Sequence, residues 1–363
     1  MKKTNFKLRC RQRRLSNTRR RRDKHRRLLR IRRKQQLGQC GGRLVRLTAP
    51  ECFSLSGKDA ARLVEFVRKL RQAVLPGFGR VEIKFSHTEK MAADGTLYFL
   101  ANLEQMRLLY PKVSFSMRPP SDAVAAQVLQ HVGIARILGG HRMQKKPLHP
   151  SVRHWYKASG NNVDASEAQN VFGSFEGRIT PELSRSVYKG VSEAMTNCFH
   201  HAYTDHSLPP HLCKWWLFSR EDKGELHVVF CDLGIGIPRS LFREDEKVEK
   251  GWIEYLKTWL AERVSDWRQA DDALKIKAAI EIGQTRTRKP NRGKGLKQMV
   301  GFLDAIGNNA AKVTIYSGSG VYRRMPKKGR PQEFTHALSD KKTAISGTMI
   351  SWSIPLPEKD DTL

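Results

Sequence analysis

The chain has 363 residues and a formal net charge of +32, far from the usual balance of acids and bases. That length allows two or three domains. No run of eighteen apolar residues exists, which excludes a transmembrane helix of ordinary length, and no apolar segment follows the basic start as in a secretory signal.

Residues 1–40 hold 18 Lys and Arg against one acid, Asp23, a local charge of +17. The densest part is Arg19–Lys34. A run this dense repels itself and is expected to lack structure when free. Its bland reading is a solvated tail. The functional reading is an arm for nucleic acid or another polyanion, because Lys and Arg on phosphates release counterions without reading sequence. An anionic membrane surface and an Arg-rich targeting peptide are the remaining readings. Few aromatics interleave, so base stacking is not expected. Leu28, Leu29 and Ile31 offer a weak apolar face.

Residues 41–78 read as a connector, with a short strand at Leu44–Leu47 and an amphipathic helix at Asp59–Leu75. Leu63, Phe66, Val67, Leu70 and Val74 recur there at three- and four-residue steps. Pro76 and Gly77 end the helix. Residues 79–140 read as a small α/β unit: strand Val81–Phe85, helix Gly95–Tyr110, strand Val113–Met117, helix Asp122–Val132. The first of these helices is expected to put Leu97, Leu100, Ala101, Leu103 and Leu108 on its apolar side. Asp94 reads as a helix cap. Residues 141–179 read as a linker, with Trp155 and Tyr156 as pins to a domain.

From Thr180 a second unit begins and runs to residue 357, before a short acidic tail at 358–363. Pro181–Tyr203 reads as one long helix. Within it Glu193 and Asn197 stand four residues apart and so share a face. An Asn oxygen suits a hard cation such as Mg²⁺, and a Glu suits proton transfer beside it. Trp215–Ser219 and Leu226–Cys231 read as a hairpin. The apolar run Leu226–Cys231 ends in Asp232, followed by Gly234 and Gly236, which permit close backbone approach to a flat ligand. Helices are expected at Trp252–Leu260 and Ala273–Ile282. Thr285, Arg286, Thr287, Arg288 and Lys289 form either a cation clamp for a phosphate or an exposed basic loop. Arg292, Gly293, Lys294, Gly295 and Lys297 open a further helix, whose N-terminal N–H groups make an anion site. Val313–Tyr316 and Val321–Arg324 read as a late hairpin. Ser346–Leu356 alternates like a strand, with Thr348 offering a hydroxyl at its start.

The His200, His201, His206, His211 and Cys213 group fits no standard metal spacing. The six cysteines include no CxxC pair and read as reduced thiols of a cytoplasmic protein.

Each motif alone is weak: a solvated helix face, a plain strand-to-loop turn, a glycine before a helix. Together and in this order, the four segments around Glu193 and Asn197, Asp232, Gly293 and Gly295, and Thr348 resemble the GHKL ATPase superfamily. It includes gyrase, heat-shock chaperones, histidine kinases and anti-sigma serine kinases. The resemblance covers roughly 180–356 and implies a helix-and-sheet sandwich in the α/β class, a mixed sheet with helices on one face. It implies ATP and Mg²⁺ as ligands. Glu193 would be the general base, Asn197 the Mg²⁺ ligand and Asp232 the adenine acid. Gly234, Gly236 and Ile237 would line the nucleotide, as would Arg292, Gly293, Lys294, Gly295, Leu296 and Thr348. Residues 79–140 resemble a STAS domain, the module of anti-sigma-factor antagonists, which implies a protein partner. In that family a serine at this helix start is often phosphorylated; here Asp94 takes its place.

Three functions remain open on the sequence. The first is ATP hydrolysis or phosphotransfer in a signalling-type switch. A second is an ATPase whose nucleotide gates conformation while the arm holds DNA or RNA. The third is an interaction module that keeps ATP for structure. A histidine kinase is disfavoured, since no phosphoacceptor His lies on the Asp59–Leu75 helix. The resemblance also allows a homodimer.

Overall fold

The computed structural model describes residues 44–140, 147–163, 171, 180–203, 208–242, 252–282, 296, 300, 311–327, 330–339 and 343–356. The basic arm, the cations 285–289, the glycine pair Gly293 and Gly295 with their flanking cations, and the acidic tail lie outside the described residues.

Leu44–Thr48 (β1), Gly79–Lys84 (β3) and Val113–Arg118 (β5) form a parallel sheet in the order β1–β3–β5. Parallel neighbours need crossovers. Gly57–Val74 (α1) and Ala93–Leu109 (α2) supply them. Short strands Cys52–Phe53 (β2) and Lys90–Met91 (β4) pair in parallel before α2. The α/β unit therefore starts at Leu44. The stretch read as a connector contributes β1, in register with β3 from Leu44 and Arg80 to Thr48 and Lys84. On α1 the expected stripe is buried: Leu63, Phe66, Val67, Leu70 and Val74. Asp122 caps Ala123–His131 (α3), accepting the Ala125 N–H at 2.7 Å.

Helix α2 departs from its expected one-sided pattern. It is buried around most of its circumference, with Tyr98, Phe99, Leu100, Ala101, Asn102 and Leu103 all enclosed. A helix apolar on every side belongs inside a fold. Leu108 instead falls in the last turn and is 48% exposed. Asp94 lies inside the first turn, not at the cap, which is Ala92. Its carboxylate accepts the Gly95 N–H at 2.7 Å and the Leu55 N–H at 3.1 Å. That bond ties β2's end to α2, and burial raises the carboxyl above its ordinary range.

The second sheet has seven strands in the order β11–β10–β9–β12–β8–β7–β6. They are Trp155–Gly160 (β6), Trp215–Asp222 (β7), Glu225–Asp232 (β8), Lys312–Gly318 (β9), Gly320–Lys327 (β10), Arg330–Ala337 (β11) and Ile345–Pro355 (β12). Every neighbouring pair is antiparallel. The sheet is thus not mixed; the parallel pairs lie in the β1–β3–β5 sheet and in the two-stranded β2–β4 sheet. The stretch read as a linker contains β6, held by Trp155, which packs edge-on against Phe218 at 5.8 Å. β11 was not foreseen, and most of its residues are exposed. Lys223 and Gly224 both have positive φ, 51° and 74°, in the β7–β8 turn. That geometry matches the twist of paired strands.

Side chains alternate across this sheet. Trp215, Leu217, Val228 and Phe230 face one core; Trp216, Phe218, Val229 and Cys231 face the other. Pro181–Asn197 (α4), Trp252–Ala261 (α5) and Asp272–Ile282 (α6) cover the first face. Helix α2 covers the second, packing on β7, β8 and β12. Trp216 Nε1 donates to Glu104 of α2 at 2.8 Å. Helices therefore lie on both faces, not on one as the resemblance implies, because the N-terminal unit docks on the second.

The tightest approach is at Gly95. A Cβ there would collide with the Phe53 carbonyl and stand 2.5 Å from the Ser54 nitrogen. Gly95→Ala should lower stability by about 1–3 kcal/mol, the usual cost of overpacking, read as a drop in the urea midpoint. An unchanged midpoint would contradict this close contact.

Candidate functional site

The site is built on the end of β8. Its apolar run places Asp232 between Trp215 of β7 and Thr348 of β12 in register. Asp232 is 5% exposed. Its Oδ1 accepts the Gly234 N–H at 2.9 Å and the Thr348 N–H at 3.3 Å. Among the described residues Oδ2 accepts nothing. Burial pushes the carboxyl up to about 6, with the two N–H groups opposing the rise.

Around this carboxylate the backbone is crowded. Gly236 has φ +80°, and a Cβ there would lie 2.8 Å from Ser317 Oγ and 3.0 Å from the Gly347 carbonyl oxygen. Gly347 has φ +76°, and its Cβ would strike the Asp232 carbonyl. Both positions need glycine for conformation and for space. The Ile235 N–H donates to the Ala202 carbonyl at 2.9 Å, fastening the loop to the end of α4.

Ser317 organises the hydroxyls. Its Oγ donates to the Gly347 carbonyl at 3.0 Å and accepts the Ile237 N–H at 2.9 Å. It also lies 3.1 Å from Thr348 Oγ1. A hydroxyl has one proton to give. Ser317 spends its proton on Gly347, so Thr348 must be the donor in their shared bond. Thr348 Oγ1 is then left with acceptor capacity only, turned towards the Asp232 end of β12.

The expected long helix is α-helical to Asn197, then continues as a π-helical turn, Cys198–Ala202. Such turns often mark functional sites. The change comes directly after the residue read as a metal ligand. Glu193 and Asn197 are both half-buried on α4. Asn197 Nδ2 is buried without a hydrogen-bond partner. Its amide is therefore not fully committed to the fold, and amide oxygen and nitrogen exchange places by rotation. That leaves an oxygen donor available to a hard cation. Cys198 and Tyr203 are both raised by burial first and by the Asp232 charge second, which places the helix end beside this carboxylate. Tyr203 OH donates to the Lys214 carbonyl at 2.6 Å and accepts the Leu233 N–H at 3.0 Å.

The structure thus gathers Asp232, Gly234, Gly236, Ile237 and Thr348; Asn197 directly precedes Cys198, which feels the Asp232 charge, and Glu193 lies one helical turn earlier. Leu296 is half-buried against the apolar core on the α4 face, and Val300 is buried in it. Arg292, Gly293, Lys294 and Gly295 fall outside the described residues. Three contributors escaped the sequence reading: Ser317, Gly347 and the bridging hydroxyl of Tyr203. Gly347 had a visible signal, a glycine directly before the strand threonine. Ser317 had none, because its partners lie 30 and 80 residues away. Among the described residues no three His, Cys, Asp or Glu side chains group as a metal site. The chain matches no protein-family model and no curated protein.

The Asp232 carboxyl gives a stability prediction. Its folded value, about 6, lies above its ordinary 3.8. Below the ordinary value both states are protonated and nothing is lost. As pH rises through the folded value, the native state must ionise a buried group and loses stability. Asp232→Asn keeps an Oδ1 acceptor for both N–H groups without that charge. It should exceed wild type by roughly 2–3 kcal/mol at pH 7.5 and by much less near pH 4. Urea midpoints at the two pH values measure this. An identical difference at both would show that Asp232 ionises without penalty.

Proposed function

We propose that this chain binds Mg–ATP at Asp232 and uses it for hydrolysis or phosphotransfer in a signalling-type switch, through a site like those of the GHKL superfamily. The observation that carries the reading is the buried Asp232, one oxygen held by two backbone N–H groups and the other unpaired. An oxygen left open on a carboxylate that is otherwise enclosed can take a donor from a ligand. The exocyclic amine of adenine is such a donor. Guanine presents a carbonyl oxygen at the matching position, and two acceptors would face each other. Thr348 Oγ1, an acceptor only, suits a second N–H or a bridging water. The glycines Gly236 and Gly347 let the loop pack closely around the carboxylate and hold it in place.

When bound, Mg²⁺ neutralises phosphate charge and orients the reacting groups. Asn197 would hold it through its side-chain oxygen. Glu193, one turn earlier on the same helix, would take the proton from water or from a protein hydroxyl. The docking of α2 on β7, β8 and β12 supports the switch, since those strands carry the nucleotide site. The N-terminal unit then serves as the reader of nucleotide state and offers the surface for a protein partner.

Three variants test the roles. Glu193→Ala should cut turnover by roughly 10²–10⁴-fold with ATP affinity unchanged. Asn197→Ala should abolish the gain in ATP affinity that Mg²⁺ brings. Asp232→Ala should lose ATP binding and the preference over GTP. Full turnover in Glu193→Ala, or full affinity in Asp232→Ala, would sink the assignment. Labelled phosphate released to solvent identifies an ATPase, and label on a protein identifies a kinase.

The raised carboxyl adds a pH signature. Adenine's amine is best met by the ionised carboxylate, so ATP affinity in wild type should fall as pH drops through about 6. Titration of a fluorescent ATP analogue between about pH 5 and about pH 8 checks it. Affinity flat across the window would remove Asp232 from adenine contact.

A further inference from the structure

Parallel sheets are as a rule covered on both faces. Among the described residues, the β1–β3–β5 sheet is covered on one face only. Its inner face is core: Val81, Ile83, Val113 and Phe115 are buried, and α1 packs on β1 and β3. Its outer face follows from the register. One row is Leu44, Arg80 and Ser114; the next is Arg46, Glu82 and Ser116; the third is Thr48, Lys84 and Arg118. These side chains are exposed or half-buried throughout. Arg46 and Arg118 are 57% and 58% exposed.

We propose that this outer sheet face binds the phosphate backbone of duplex nucleic acid. Four cations and one acid occupy its nine positions. The single acid is shared: Glu82 accepts from Arg46 Nε and from Arg118 Nε, each at 3.1 Å. That pairing holds two guanidinium groups in fixed positions across the sheet while taking little of their capacity, since each has further N–H donors. Arg80 and Lys84 flank Glu82 along β3 and make no ion pair with it. The basic arm 1–40, with its +17 charge, joins the fold a few residues before β1, at the edge of this same sheet.

Charge decides the occupant. The arm itself and a second copy of this face are both repelled by it. A bilayer asks for apolar insertion, and Leu44 is the one large apolar residue among the nine. Single strands ask for aromatic stacking platforms, and the face has no aromatic residue. A duplex backbone asks for Lys, Arg and hydroxyl donors on a surface, which are what the three rows provide. Such contacts position a duplex without reading its sequence.

The proposal does not depend on the nucleotide site. Its test uses the full-length protein and a short duplex of arbitrary sequence, with affinity followed by fluorescence anisotropy across a salt series. Arg80→Ala with Lys84→Ala should flatten the log–log salt slope by about 2, close to one unit per lost phosphate contact. Affinity should fall by about tenfold. Glu82→Gln should strengthen binding, because it removes the competing carboxylate and keeps the side-chain shape. That gain separates an anion site from a structural role, where losing the ion pairs could only weaken the protein. Unfolding midpoints of each variant control for folding. The proposal fails if the duplex does not bind. It also fails if the slope is untouched by the double substitution, the arm alone carrying the charge. Binding of phosphatidylserine vesicles in place of the duplex would overturn it equally.

Discussion

The structure depends on one burial, that of helix α2. It is the crossover between β3 and β5, so the parallel sheet claims one of its sides. Its other side closes the seven-stranded sheet over β7, β8 and β12. A crossover helix normally keeps a polar face for solvent. Here Tyr98, Phe99, Leu100, Asn102 and Leu103 leave none. Its buried Asn102 is paired at both ends: Nδ2 donates to the Tyr98 carbonyl at 2.7 Å, and Oδ1 accepts from Arg71 at 2.8 Å. Gly95 lets β2 cross the first turn of α2 in backbone contact, and Glu104 reaches Trp216 on the far sheet. The result is a stack of layers with one helix common to two of them.

The Asp232 site sits at a junction in that stack. Asp232 costs the fold stability at neutral pH, since burial raises its carboxyl to about 6. A group that serves only the fold would be expected to find enough donors. Asp232 finds them for one oxygen. Its neighbours are by contrast well satisfied: Ser317 serves Gly347, Ile237 and Thr348, and Tyr203 joins Lys214 to Leu233. A rigid, satisfied frame around one unsatisfied carboxylate is what a preorganised binding site requires.

What could be read from the sequence was local. Stripe spacing points to α1, apolar runs to β7 and β8, and alternation to β12. The order of motifs points to Asp232, Gly236 and Thr348, which the fold brings to one place. What escaped was set by distant partners. β6 reads as loop because its period is weak, yet β7 pairs with it along six positions. β11 has little apolar content to betray it, since it is an exposed edge. α2 was read as one-sided because amphipathicity is the default for a surface helix, while the run from Leu97 to Met106 in fact has few residues that need water. The π turn after Asn197 leaves no mark in composition, and Ser317 acts through partners far along the chain.

Alternation along two strands links the site to the N-terminal unit. On β8, Cys231 points into the core shared with α2, and Asp232, the next residue, faces the opposite way. On β12, Met349 points into that same core, and Thr348 beside it meets Ser317 and the Asp232 end. One peptide bond therefore separates Asp232 and Thr348 each from a side chain that packs beneath α2. Close-packed interiors transmit small displacements poorly by compression and well by shifting whole elements. A ligand that moves Asp232 or Thr348 must move Cys231 or Met349 with it. Helix α2 is the element that meets both, and the strands it connects, β3 and β5, carry the exposed cations of the outer sheet.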